Sequence, residues 1–106
     1  MDHARELGQY SLDRLKSMQA DHSLIGDVRG LGLFLGIELV KDRNTRERAS
    51  EEAEKVMYAA LSKGLSFKLT MGNIITLTPP LTVARDEMDR ALDIVEACIN
   101  EVEESW

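Results

Sequence analysis

Apolar and polar residues alternate most clearly between Leu24 and Val40, and this pattern predicts two strands folded back on each other. From Leu31 onward every odd position is apolar: Leu31, Leu33, Leu35, Ile37 and Leu39. The even positions are Gly32, Phe34, Gly36, Glu38 and Val40. A period of two is typical of a strand with one buried face. The chain is predicted to reverse near Arg29 and Gly30, because Gly30 and Gly32 tolerate positive φ.

The even face of this strand carries two glycines, Gly32 and Gly36, in place of the side chains that normally stand there. Glycine weakens the interior of a strand, so we expect another group to lie close to the backbone on that face. A helix of this chain or another domain would be that neighbour.

A first amphipathic helix is predicted over residues 3–20, with its apolar stripe at Ala4, Leu7, Leu12, Leu15 and Met18. Gly8 lies inside this helix, where glycine costs about 1 kcal/mol relative to alanine. We therefore expect another element to approach the helix closely at Gly8.

A second helix is predicted to begin at Ser50, whose hydroxyl would cap the first turn, and to end before Gly64. Its apolar stripe is Ala53, Val56, Met57, Ala60 and Leu61.

The last helix has the clearest helical period of apolar residues, at Met88, Ala91, Leu92, Val95, Cys98, Ile99 and Val102. Ala84 stands where a capping serine is expected, so this helix has a weak start signal.

A second hairpin is predicted between these helices, with alternation from Leu65 to Thr70, a turn at 71–73 and a β-branched strand at 74–78. Pro79 and Pro80 end it, since proline cannot donate to a ladder.

The polar run from Lys41 to Arg48 predicts a solvated loop, with an anion-binding patch as the weaker alternative. The whole chain, 1–106, is predicted to be one α+β domain of two layers. Its order is α-β-β-α-β-β-α, with a mostly antiparallel sheet and helices on one face.

The charge balance disfavours nucleic acid as a partner. Thirteen basic and nineteen acidic residues give a formal net charge of −6. The sequence has no run of Lys or Arg that could bind along a phosphate backbone. The single cysteine, Cys98, lies on a buried stripe and predicts a core residue. No apolar run is long enough to span a membrane, and Met1 to Glu6 is charged without a signal-peptide core. Together these features predict a cytoplasmic protein.

The residues alone indicate no catalytic centre. Gly30, Gly32 and Gly36 differ in spacing from a dinucleotide fingerprint and precede a predicted strand instead of a helix. His3 and His22 are too far apart to indicate a metal pair and are predicted to be solvated. No Cys/His or Ser/His/Asp order stands out, and none of the five lysines lies in an apolar stretch.

A resemblance to a known family goes further. The segments 25–33, 36–40, 63–65 and 77–82, in this order and spacing, resemble the C-terminal part of class III aminotransferases. The residues that carry the motif are Arg29, Gly30, Gly32, Gly36, Pro79 and Pro80, the last two followed by Leu81. These enzymes transfer an amino group from an amine or ω-amino acid to a keto acid, with pyridoxal phosphate as the cofactor.

The resemblance also implies what this chain does not carry. In that family the cofactor lysine and the phosphate-binding residues belong to a large domain that precedes this part, and nothing in this chain matches them. We therefore expect a C-terminal domain that contributes substrate recognition and active-site closure, and that alone is inactive and binds no cofactor. Its expected partners are the large domain and further copies of the chain. A free-standing module that binds a small ligand or a protein is the alternative.

Two residues are candidates for substrate binding. Family members that bind an α-carboxylate have an arginine where this chain has Thr76. The bidentate hydrogen bonds between a guanidinium group and the carboxylate are therefore missing here. The nearest basic candidate is Lys68, whose point charge suits a rounder anion such as a phosphonate. Ordinary strand roles for both residues are the alternative.

Overall fold

The computed structural model describes residues 2–80 and 82–105, with the backbone alone at Asp2. Met1 and Leu81, which enter the expectations above, lie outside the described residues. The helices are α1 (Asp2–Asp21), α2 (Ser50–Ser62) and α3 (Arg85–Glu104). The strands are β1 (Ile25–Leu31), β2 (Phe34–Asp42), β3 (Glu47–Arg48), β4 (Lys68–Thr70) and β5 (Ile74–Leu77). The predicted α+β order is confirmed, and the exposed polar run contributes one short extra strand, β3.

The strands form one antiparallel sheet in the order β1-β2-β5-β4, with β3 paired to the far end of β2. Apolar and polar side chains alternate along β2, and the helices cover the apolar face. Its side chains Leu35, Ile37 and Leu39 are fully buried. On the neighbouring strands, Val28 and Ile75 pair with Ile37 and continue this face. The helices therefore lie on one side of the sheet, and the other side carries no helix among the described residues.

The first hairpin turns two residues later than predicted. Leu31 still belongs to β1, pairs with Phe34 and is 85% exposed, and the reversal occurs at Gly32, whose φ is +58°. The prediction that Leu31 is buried and that the chain reverses near Arg29 and Gly30 is wrong, whereas the positive φ predicted at Gly32 is confirmed. The apolar alternation runs without a break through the turn, so the sequence pattern did not locate it.

The close approach predicted at Gly8 is confirmed. A Cβ on Gly8 would lie 2.6 Å from the carbonyl carbon of Gly32, which is far inside a normal contact. Helix α1 thus packs directly on the turn between β1 and β2. Of the two neighbours expected over the even face of β2, a helix of this chain or another domain, no helix lies there among the described residues, since the helices cover the odd face.

The helix ends follow the expected chemistry only in part. The residue at the N-cap of α2 is Ala49, which makes no side-chain cap, so the predicted Ser50 cap is wrong. At the other end Gly64 has φ of +92°, and the Leu65 N–H donates to the carbonyl of Ala60 at 2.9 Å, as predicted for a C′ glycine. Helix α3 begins after Ala84, whose N–H donates to the Glu87 side chain at 3.0 Å.

None of the helices in the described part of the chain combines the length and the hydrophobicity that crossing a bilayer requires.

Candidate functional site

We call the uncovered side of the sheet the open face, because the strand register places its side chains away from the helices. Its members, all exposed or half-buried, are Asp27, Arg29 and Leu31 of β1, Phe34, Gly36 and Glu38 of β2, Ile74 and Thr76 of β5, and Lys68 and Thr70 of β4. Five of the positions singled out in the sequence thus share one surface: Arg29, Gly36, Thr76, Lys68 and the exposed Leu31.

Four of these positions form a straight row across the sheet. Arg29 pairs with Gly36, Gly36 pairs with Thr76, and Thr76 pairs with Lys68. Three strand spacings of roughly 4.8 Å make the row about 14 Å long between its outer Cα atoms. The two predicted substrate residues, Lys68 and Thr76, are direct cross-strand neighbours in this row.

Charged side chains cluster at the β1 end of the open face. The Arg29 side chain donates to Asp27 at 3.0 Å and to Glu38 at 3.4 Å. Arg46, from the polar run after β2, donates to the same Glu38 oxygen at 2.6 Å. Glu38 is therefore bound by two guanidinium groups. This arrangement could not be predicted from the sequence, because Arg46 comes from a loop.

The β4 end of the open face carries the hydroxyls of two threonines and the ammonium group of Lys68. The hydroxyls of Thr70 and Thr76 lie 2.9 Å apart and form a hydrogen bond across the two strands. Lys68 is exposed and makes no ion pair with any residue that the structure describes. Sequence reasoning missed Thr70, which pairs with Ile74 and therefore lies diagonally across from Thr76 on the same face.

Two clefts open at the ends of β2 and β5. One, of about 640 Å³, lies between the first half of α1 and the first hairpin turn, and exposes Leu31 and Phe34 at its wall. The other, of about 590 Å³, lies between the second hairpin and the start of α3, and Lys68 and Thr76 line it. Pro79 lines both clefts, so the Pro79–Pro80 motif separates them.

His22 is not solvated, contrary to the sequence-based prediction. It is 7% exposed, with its Nδ1 2.6 Å from Glu103 and its Nε2 3.1 Å from Glu96. Desolvation lowers the pKa of His22, but the hydrogen bonds and charges of Glu103 and Glu96 outweigh it and raise that pKa above its ordinary value. Both carboxylates come from α3, more than seventy residues away, which is why the sequence did not reveal the cluster. His3 is exposed, as predicted.

Metal and thiol chemistry have little support in the described ranges. Those residues contain no group of three His, Cys, Asp or Glu side chains placed to hold a metal ion. Cys98 is fully buried on α3, as predicted, and burial raises the pKa of its thiol. The open face and its clefts are therefore the candidate site.

Comparisons with known proteins agree on one family. The aminotransferase class-III family model matches residues 1–99. A leucine/methionine racemase from Thermococcus litoralis is 46% identical over 101 residues, which cover 95% of this chain and 23% of that protein. An (R)-1-hydroxy-2-aminoethylphosphonate ammonia-lyase from Vibrio splendidus is 47% identical over 90 residues, 85% of this chain and 19% of that protein.

A solved structure is similar over nearly the whole chain. The (S)-enantioselective omega-transaminase from Thermomicrobium roseum superposes with a TM-score of 0.84 at 31% identity, over 94% of this chain and 22% of that one. This chain therefore spans 19% to 23% of the length of these three proteins.

Proposed function

From the premise that this chain belongs to the class III aminotransferase family, we propose that it is the C-terminal domain of a larger pyridoxal-phosphate enzyme. The parent reaction is the transfer of an amino group from an amine or ω-amino acid to a keto acid. The domain contributes substrate recognition and closure of the active site. We place the parent in the cytoplasm because the single cysteine is typical of reducing compartments.

The observation that carries this proposal is the uncovered sheet face. Relatives of this chain have three-quarters or more of their length outside the matched region, so a large part of the parent is available to cover it. Leu31 and Phe34 are 85% and 59% exposed at one end of the open face, and apolar surface of this kind marks an interaction site. We assign the open face to the docking of the preceding large domain. The substrate then lies between the two.

The residues of this chain do not fit pyridoxal phosphate. The cofactor needs a lysine amine beside space for its ring and a carboxylate for its pyridine nitrogen. Among the described residues, the first cleft is lined by no lysine, and the second combines Lys68 with no carboxylate. The cofactor therefore belongs to the rest of the parent enzyme.

We expect the isolated 106-residue chain to form no covalent adduct with pyridoxal phosphate. The test is incubation with cofactor, borohydride reduction and peptide mass spectrometry, with a 4-aminobutyrate aminotransferase as the positive control. Random low labelling spread over the exposed lysines is compatible with this expectation. One lysine modified to completion would contradict it.

Substrate recognition is expected to involve Thr76 and Lys68, which lie side by side on the open face and line one cleft. In the parent enzyme, Thr76→Arg should favour ω-amino carboxylates over simple amines. A charge-assisted hydrogen bond contributes roughly 1.5 to 3 kcal/mol, so the ratio of the two kcat/KM values should rise about ten- to hundredfold. Thr45→Arg, at an exposed position between β2 and β3 that lines neither cleft, is the matched control. An unchanged ratio for Thr76→Arg would show that Thr76 does not face the substrate.

The isolated chain is expected to self-associate, because its docking surface lacks its partner. The α1 stripe is buried in the core at Leu7, Leu15 and Met18, so the open face is the surface available. Phe34→Ser should weaken association by about tenfold or more, as expected for loss of an aromatic contact at an interface. Tyr58→Ser, equally exposed at 62% but on α2, is the control. Sedimentation showing a monomeric wild-type chain at high concentration would contradict this expectation.

A second candidate reaction is inversion at the α-carbon of an amino acid, which the 46% identity to a leucine/methionine racemase favours. The two reactions separate when the parent enzyme is given L-leucine without a keto acid. Appearance of D-leucine supports racemisation, whereas consumption that requires a keto acid supports amino transfer.

A free-standing binding module is the alternative from another class. The coding DNA upstream of Met1 separates it from the proposal. We expect an open frame that continues upstream into a lysine-bearing large domain. An in-frame stop codon directly before Met1 would support the module.

A further inference from the structure

The cleft between the first half of α1 and the first hairpin turn, which we call the α1 cleft, is mostly apolar. Among the described residues that line it, the polar side chains are Arg5, Gln9 and Thr78, and the others are apolar residues or glycines. Its volume of about 640 Å³ has room for several side chains. Leu31 and Phe34 at its wall are 85% and 59% exposed, so the cleft is an open apolar surface of the kind that binds a partner.

Arg5 determines which charge that partner carries. It is the charged residue of the α1 cleft, it is exposed, and it forms no ion pair with any residue that the structure describes. The neighbouring Gln9 is already engaged, since its amide donates to Asp13 at 2.9 Å. A group that covers the cleft removes water from the Arg5 guanidinium, and a buried charge without a counter-ion is costly. We therefore expect a partner that brings a carboxylate.

The first turn of α1 lies at this cleft and indicates which partner reaches it. Ala4 and Arg5 line the cleft, and His3 Nε2 donates to the carbonyl of Val83 at 2.7 Å, which fixes this turn against the segment after β5. In the proposed parent the large domain precedes this chain, so its polypeptide enters α1 beside the cleft. Leu31 and Phe34 belong both to the cleft and to the open face. The two surfaces are therefore continuous, and one partner can cover both.

We infer that the α1 cleft anchors the preceding large domain, which inserts an apolar side chain between α1 and the first hairpin turn and pairs a neighbouring Asp or Glu with Arg5. This inference rests on the proposed function, because it takes a large domain to precede this chain. It adds the chemistry of the contact to that proposal. An ion pair with Arg5 would also fix how the domain docks, since a misplaced partner leaves the charge buried and unpaired.

Alkylation of a cysteine in the cleft tests whether the parent covers it. Gln9→Cys places the thiol on the α1 wall of the cleft, and Ser17→Cys, exposed on the same helix, lies outside both clefts. We expect Gln9→Cys to react about tenfold or more slowly in the parent than in the isolated chain, as for a cleft that is open less than a tenth of the time. The isolated chain is labelled at a concentration at which sedimentation shows a monomer. Ser17→Cys should react at similar rates in both proteins.

Charge reversal at Arg5 tests for the carboxylate. Arg5→Glu, combined with Gln9→Cys in the parent, should raise the alkylation rate by about tenfold or more, because two carboxylates would then face each other. Arg90→Glu is the matched control, since Arg90 is exposed on α3 outside both clefts and its replacement changes the net charge equally. Folding is checked in the isolated chain, where Arg5→Glu should not lower the unfolding temperature. Residue 5 lies in the first turn of α1, where the helix dipole favours a carboxylate.

Each other outcome overturns the inference. Equal rates for Gln9→Cys in the two proteins would show an uncovered cleft. The proposed docking would survive that result if Phe34→Cys is protected in the parent, and would fall with it if Phe34→Cys is not. Protection that Arg5→Glu leaves unchanged, or that Arg90→Glu weakens equally, would exclude a carboxylate opposite Arg5. Protection that appears in the isolated chain as its concentration rises would assign the cleft to a second copy.

Discussion

Replacing His22 with alanine is expected to lower the free energy of unfolding of the chain by about 3 kcal/mol at pH 6, the low end for breaking a buried ion pair. The side chain of His22 is 9% exposed and lies between Glu103 and Glu96, whose side chains are 16% and 35% exposed. Removing the imidazole leaves the two carboxylates facing each other without a cation between them. The partial exposure of Glu96 is the reason to expect the low end.

The same cluster makes stability depend on pH. The pKa of His22 is raised above 6.5 in the folded chain by Glu103 and Glu96, against the opposing effect of desolvation. The stabilisation is therefore complete below pH 6.5 and is lost as the pH rises through the folded value. Arg14, 3.9 Å from Glu96, and Arg43, which donates to the backbone of His22, also face the cluster.

Urea unfolding of wild type and His22→Ala between pH 5.5 and 9 measures both effects. The difference between the two proteins should shrink as the pH rises. His3→Ala is the matched control, since His3 is exposed and makes one hydrogen bond, to the carbonyl of Val83. A loss below about 1 kcal/mol for His22→Ala, the worth of one ordinary hydrogen bond, would contradict the assignment of a buried ion pair.

Replacing Gly8 with alanine is expected to cost about 2 kcal/mol, within the range for overpacking. Alanine favours a helix by about 1 kcal/mol over glycine, so helix propensity alone predicts the opposite sign. The new methyl would meet the backbone of Gly32, and backbone cannot rotate aside as a side chain can. Helix α1 would have to move off the turn, which exposes Leu33 and Leu7 beneath it.

The measurement is again urea unfolding, with Gly36→Ala as the control glycine. A Cβ on Gly36 would meet no atom nearer than 3.8 Å, so Gly36→Ala should be neutral or stabilising while Gly8→Ala destabilises the chain. If Gly8→Ala instead raises stability, helix propensity dominates and the contact with the turn is looser than described.

The sequence predicted the fold well wherever the pattern is local. The alternation of Leu35, Ile37 and Leu39 identified the buried face of β2, and Gly64 marked the end of α2. The end of β1 was missed because Leu31 continues the apolar alternation, although pairing with Phe34 leaves it exposed.

The sequence predicted several residues of the candidate site but not how these residues are arranged. The sequence singles out Thr76 and names Lys68 as the nearest basic residue, and the pairing of β4 with β5 makes the two direct cross-strand neighbours. Their alignment with Arg29 depends on β2 lying between β1 and β5, which no local pattern determines. The same limit applies to His22, whose partners come from the far end of the chain.

Protection of the open face in the parent enzyme tests the central claim most directly. Cysteines introduced by Phe34→Cys and Tyr58→Cys report on the open face and on the helical layer, and the wild-type residues are similarly exposed, at 59% and 62%. Alkylation of each is followed by peptide mass spectrometry, in the isolated chain and in the parent, where the buried Cys98 gives little background. We expect Phe34→Cys to react quickly in the isolated chain and slowly in the parent, while Tyr58→Cys reacts at similar rates in both. Equal rates for Phe34→Cys in the two proteins would contradict the assignment of the open face as the docking surface.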